Sequence, residues 1–302
     1  MSQRIFYPQL QKWPSSWVHM VGADARDFLQ RVTTVNAKIL EVGKGKKGFF
    51  LQANGKILAA FDVWNTAENE FGFEVFGPEE WKKALCSTID QLTFAEKIEV
   101  HDVAVLENVW ILTDEDADGF GTTEGDTLAA PGGVRICNHG RKDFGKLWLS
   151  LWGLKEALGP WVADQFPNAT EALDIDLDEM RIRNLRPRAG LEMTFETTPL
   201  EIGLKDGVAE NKGCYPGQEV IERIISLGSP ARRLCLVEVK EDRDLPQPLM
   251  NDAEPAQEVG IVTSLLGPNS QGLRLGLALI KKIHAKEGLR LKEGQVIRVS
   301  QG

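Results

Sequence analysis

With 302 residues, 42% hydrophobic and 26% charged side chains, the chain has the composition of a soluble globular protein, long enough for one large domain or two to three modest ones. A net charge of −9 argues against direct nucleic-acid binding, because a phosphate backbone wants a basic field. No apolar run nears the ~20 residues that cross a bilayer, "MSQRIFYPQLQKWPSSW" does not read as a secretion signal, and the four scattered cysteines lack a CxxC pair, so a reducing cytoplasm is expected rather than a disulfide scaffold or a membrane.

In chain order, "WVHMV" reads as a strand and "GADARDFLQRV" as a helix with Phe28, Leu29 and Val32 on one face. "KKGFFLQANGKILAAFDVW" is the clearest local signal. Two apolar runs flank Asn54-Gly55, a dipeptide that accepts positive φ at both corners of a tight hairpin. "FGFEVF" adds a strand, and "GPEEWKKALCSTIDQL" a helix with Trp81, Leu85, Ile89 and Leu92 at helical spacing. "KIEVHDVAVL" and "NVWILTD" return to strands, so the first ~110 residues predict an α+β lobe on an antiparallel sheet.

Residues 114–145, acidic at "DEDADGF" and rich in glycine, read as loop and short strand. "LWLSLWGLKEALGPWV" returns to order, and "DIDLDEMRIRNLR" reads as a helix with acid first and arginine last, as the helix dipole favours. Arg181, Arg183, Arg186 and Arg188 could serve an anionic ligand or form a solvated face. Residues 241–258 read as a long acidic surface loop. Four strand-like runs around it, "RRLCLVEV", "VGIVTSLLG", "LRLGLALIKK" and "QVIRVS", predict a small C-terminal barrel. "GKGKKG" lacks the spacing of a phosphate loop.

The chemistry concentrates in "ENKGCYPGQEVIER", residues 210–223. Cys214 sits among glycines and charge, not in the apolar run of a structural cysteine. Val220, Ile221, Ile224 and Ile225 predict a helix after Gly217, so the thiol precedes a helix N-terminus with Lys212 two residues away, and both favour a thiolate. Gly213 and Gly217 permit a sharp turn. Glu219 can serve the chemistry or simply cap free N–H groups. A hydrolase-type thiol needs a histidine base, and His19, His101, His139 and His284 lie in no recognisable signature.

"KGCYPGQE", residues 212–219, resembles the signature of the YgfZ family, folate-binding proteins related to the T-protein (aminomethyltransferase) of the glycine cleavage system. The likeness extends through "VGADARDFLQRVTT", "FFLQANGKILAAFDVW", "RPRAGLEMTFETTPLEIGL", "VGIVTSLLG" and "LGLALIKK". It implies α+β lobes around a central folate-binding hole over residues 1–228 and a β-barrel over 229–302. The T-protein's aspartate pair falls at Ala59 and Ala60, which can take no proton. Asp62, two residues along the strand and about 7 Å away, is a doubtful substitute. A second carboxylate falls at Arg188, which only donates.

The resemblance therefore implies a tetrahydrofolate-binding accessory protein for iron–sulfur enzymes, including those that methylthiolate tRNA. Mitochondrial relatives assist four-iron four-sulfur proteins. The alternative is a folate-dependent one-carbon transferase on another substrate. On this view Cys214 is the redox-sensitive or transiently cluster-ligating thiol, and Lys212 tunes it or binds an anion. Gly213, Tyr215, Gly217, Gln218 and Glu219 shape the loop. Arg186, Arg188 and Asn36 are the candidates for holding folate. One cysteine cannot hold a cluster alone, so client proteins would share it.

Overall fold

A computed structural model describes residues 4–7, 13–115, 121–171, 174–240, 244–251, 253, 255–285, 289–291 and 294–300. The chain enters through β1 (Arg4–Tyr7) and then builds β2 (Ser15–Val21), α1 (Ala25–Val32), β3 (Gly45–Leu51), β4 (Ile57–Ala67), β5 (Glu70–Phe76), α2 (Glu79–Leu92) and β6 (Glu99–Asp102). Strands β3-β4-β5-β2-β6 form an antiparallel sheet in that order. Next come β7 (Leu106–Thr113), β8 (Thr127–Ala130), β9 (Val134–Gly140), β10 (Leu147–Leu154), α3 (Lys155–Gln165), β11 (Thr170–Glu171) and α4 (Asp174–Arg183). They supply a second sheet, ordered β11-β1-β7-β10-β9-β8. After an irregular crossing and α5 (Gln218–Ser226), the chain forms β12 (Arg232–Val239), β13 (Gln247–Asn251), β14 (Glu258–Leu265), β15 (Arg274–Lys281), β16 (Leu289–Leu291) and β17 (Gly294–Ser300), a closed barrel.

The apolar run in β10 follows from burial on both faces. Leu149 and Leu151 pack with Leu158 and Val162 of α3. On the opposite face, Trp148 and Trp152 meet the first sheet, at Phe76 (5.3 Å between ring centroids) and Trp17 (5.4 Å). Strand β4 is also covered twice, by Trp81, Leu85 and Ile89 of α2 on one face and by the second sheet on the other. The barrel closes on its own core of Cys235, Val237, Leu249, Val262 and Ile280. It is tied to the body through Glu192, whose carboxylate accepts from Thr263 Oγ1 at 2.7 Å and Ser264 Oγ at 2.5 Å while facing Arg181 at 3.1 Å.

Two local expectations need correction and a third gains detail. Only Gly55 takes positive φ in the β3–β4 turn; the loop is longer than two residues, with Gly55 N–H reaching Gln52 O at 2.9 Å. The loop and short strand expected over 114–145 resolve into β8 and β9 around a turn at 131–133, with β9 pairing with the apolar β10. The stretch 241–258 contains β13, paired with β14 and β16, which the proline and acid around it concealed; residues 116–120, 241–243, 252 and 254 lie outside those described. No described helix is long and apolar enough to cross a membrane.

Candidate functional site

Asp62 stands directly opposite Glu74 in the β4–β5 register. Like charges in that position repel unless a cation separates them. His139 on β9 supplies it from the facing sheet: Nδ1 lies 2.9 Å from Asp62 Oδ2, and Nε2 lies 3.1 Å from Glu74 Oε2 and 2.9 Å from Ser150 Oγ. Ser150 donates to Glu74 Oε2 at 2.9 Å, and Trp64 Nε1 donates to the same oxygen at 3.3 Å. The ring stacks on Trp148 at 3.8 Å and 16°. Burial alone would lower the imidazole pKa, but the Glu74 charge and the Asp62 hydrogen bond outweigh it and raise the value to about 9. For Asp62, burial works against ionisation, and the His139 hydrogen bond and charge still hold the carboxyl below its usual range.

Beside this triad, Asp143 accepts from Arg186 Nη1 and lies 3.5 Å from Lys47 Nζ. Burial opposes its charge, and Arg186 and Lys47 prevail, keeping its pKa low. Lys47 also approaches Asp206 at 3.8 Å. Arg186 Nε has no hydrogen-bond partner among the described residues.

These groups line adjoining cavities in the body of the molecule. An inner one of about 260 Å³ is walled by Lys47, Asp62, Trp64, Asn138, His139 and Asp143. Its rim, at Lys46, Lys47 and Asp206, continues into a space of about 510 Å³ that reaches Thr34, Asn36 and Lys44. A third, of about 410 Å³, touches the inner one at Asp143 and is lined by Arg186, Lys142, Arg233 and Leu234. Volumes of this size suit a small organic ligand. Among the described residues no cluster has the makings of a metal site.

The sequence candidates divide between the cavities and the outer surface. Asn36 and Arg186 line cavities. Arg188 lines none of the three; its guanidinium reaches Asp178 at 3.1 Å and its N–H donates to Glu192. Arg181 is buried against Asp178 and Glu192, and Arg183 pairs with Glu179 on the surface, so the arginine run is not one shared anion site.

Cys214 is exposed and lines none of the three cavities. Lys212 is 7% exposed, and its ammonium donates to the Gln30 carbonyl (2.6 Å) and to Thr33 O at the end of α1. It also lies 4.9 Å from the Tyr215 ring centroid. Burial without a carboxylate partner lowers its pKa to about 8. Its amine is thus engaged by two carbonyls at the C-terminal end of α1. Gly213 has φ 94° and Gly217 φ 81°; a Cβ on Gly217 would sit 2.5 Å from Gln52 O, so only glycine lets the loop press onto the β3–β4 turn. Gln218 Oε1 accepts from Tyr215 N–H at 3.3 Å. Glu219, in the first turn of α5, makes no hydrogen bond to the described residues.

Ala59 and Ala60 are buried in β4. Asp62, set aside on sequence, reaches the cavity instead, and His139, Glu74, Asp143 and Lys47 went unselected. The available signal was a carboxylate in each of two apolar strands, "LAAFDVW" and "FGFEVF", where burial demands a partner.

The fold is mixed α/β, strand-rich and T-protein-like. It matches the crystal structure of glycine cleavage system aminomethyltransferase T from Bartonella henselae with a TM-score of 0.77 and 16% identity, over 99% of this chain and 84% of that one. A chloroplastic Arabidopsis thaliana protein provisionally named a transferase is 23% identical over 296 aligned residues, 93% of this chain. The chain spans 66% of that relative's length. No family model matches the chain.

Proposed function

We propose that this protein binds a reduced folate in the central cavities and acts as an accessory factor for iron–sulfur enzymes, including those that modify tRNA. The observation that carries the folate part is the lining. Trp64 offers a flat apolar wall, Asp62 and Asp143 offer acceptors for N–H groups, and Lys46, Lys47 and Arg186 offer charge for an anionic tail. Arg186 Nε, buried without a partner among the described residues, is a further donor in the same region. A bound folate supplies one-carbon chemistry; the chain's own residues bind it, orient it and hold protons around it. The fold shared with an aminomethyltransferase favours the same ligand class.

The accessory role rests on the distance in kind between the two regions. Cys214 faces solvent on an anchored loop and lines none of the three cavities, a placement suited to contact with a client protein. A second reading, a one-carbon transferase on an unassigned substrate, is favoured by one observation: Asp62 and His139 place an acid–base pair in the cavity despite the alanines at 59 and 60.

Titration with tetrahydrofolate, read by quenching of the eight tryptophans, tests the ligand. Saturable binding that competes with 5-formyl-tetrahydrofolate supports it. No binding up to ~1 mM, which bounds the affinity at ~4 kcal/mol, overturns it.

A further inference from the structure

His139 fixes only half of the carboxylate it faces. Asp62 Oδ2 takes the ring Nδ1 at 2.9 Å, whereas Oδ1 makes no hydrogen bond to the described residues. Glu74 is fully buried behind the ring and held by Ser150 and Trp64 as well. With the imidazole protonated, Glu74, His139 and Asp62 together carry one net negative charge. The oxygen with room to express it belongs to Asp62, on the wall of the inner cavity beside Trp64. Lys47 is the direct cross-strand partner of Asp62 in the β3–β4 register, and Lys46 precedes it along β3; both lie where this cavity adjoins the larger one. The cavity wall therefore sets an open acceptor oxygen beside a lysine that is itself shared between Asp143 and Asp206. A metal ion is not the matching ligand, since an imidazolium repels it and offers no lone pair.

We propose that Asp62 is the ligand-reading carboxylate of the cavity, its Oδ1 accepting a hydrogen bond from the N–H edge of a planar nitrogen heterocycle, with His139 and Glu74 as positioning residues behind it. This assignment rests on the reduced-folate reading above and specifies which carboxylate reads the heterocycle. The charged and titratable groups around the pair are Lys47 from β3, Glu74 from β5, Cys137 from β9, Asp143 from the turn after β9, and Arg186 after α4. Cys137 is buried and its thiol pKa is pushed well up by desolvation, so it stays neutral.

The test measures binding of 5-formyl-tetrahydrofolate to the full chain by tryptophan quenching, for the wild type, Asp62→Asn and His139→Gln, from about pH 4 to about pH 8. Thermal melts establish that each variant is folded. Asp62→Asn keeps the shape, loses the charge, and should weaken binding by about tenfold or more. His139→Gln should bind well at the alkaline end but lose affinity at a higher pH than the wild type on acidification, because a buried Asp62 without its cation protonates sooner. A merely structural role for His139 would lower affinity at every pH and leave that midpoint in place. In the wild type, the ring nitrogen resonances of His139 should shift on ligand addition while those of exposed His101 do not. Equal affinity of a folded Asp62→Asn, or a silent His139 in ligand-saturated wild type, overturns the assignment and leaves the folate reading intact. A wild type that binds nothing overturns both.

Discussion

Around His139, charged side chains are held out of water between two sheets, each meeting a partner of opposite sign. Around Cys214 the arrangement is reversed: the backbone is anchored and the side chain is left in solvent. Lys212, the one buried charge of that loop, has only carbonyl oxygens and an aromatic face for company. The first region encloses its charges in the body of the molecule; the second presents its side chain to solvent. A short sequence signature can describe the second because its residues are consecutive. The first is assembled from β4, β5, β9 and β10 and exists only after folding.

The sharpest way to break this contrast is His139→Leu. Removing the cation leaves Asp62 and Glu74 facing each other uncompensated, at a cost of about 3–5 kcal/mol and a fall in Tm on the order of 10 °C. A melt within a degree or two of wild type would mean the triad is not ionised as described. Lys212→Met should cost less, about 1–3 kcal/mol, by orphaning the Gln30 and Thr33 carbonyls and loosening the loop. Denaturant unfolding of both variants ranks them, and a larger loss for Lys212→Met would invert the comparison.

The two groups should also pull stability in opposite directions with pH. His139 is raised from 6.5 to about 9, so its contribution is complete below pH 6.5 and is lost as pH rises through about 9. Lys212 is lowered from 10.5 to about 8, so the unfolded chain binds the extra proton between those values, and its burial penalty fades as pH rises through that window. Unfolding free energies measured across both windows should flatten in the lower one for His139→Gln and in the upper one for Lys212→Met. The smallest effect is expected at the thiol. Cys214→Ala should change stability by no more than ~0.5 kcal/mol. In wild type, Cys214 should be alkylated by iodoacetamide ahead of half-buried Cys86 and buried Cys137 and Cys235. Alkylation of Cys86 at the same rate would show the loop to be less open than described.

Much of the architecture was legible in the sequence because it is written in short-range patterns. Periodicity marked α1, α2 and α5, the Asn54-Gly55 turn marked the β3–β4 hairpin, and four apolar runs marked barrel strands. Strand β13 was hidden because proline and acid surround it, and β8 because its exposed residues carry no alternation that a window of that length can show. The candidate site was legible only where it is local. Of the three folate candidates, Arg186 and Asn36 line cavities and Arg188 reaches Asp178. The pairing of Asp62 with His139 spans 77 positions and depends on two sheets facing one another, a relation that no spacing rule encodes.

The Glu192 junction reaches beyond the site. Its carboxylate has no exposed side-chain surface and takes its partners from both sides of the divide, Arg181 from the body and Thr263 and Ser264 from the barrel. Peeling the barrel away would strip two donors from that carboxylate, and flooding the gap with water would loosen its grip on Arg181. Partial opening is thereby penalised before any apolar surface is counted. The two parts are bound to melt as a single cooperative unit, and a calorimetric scan should record one transition where the chain's layout alone would suggest two.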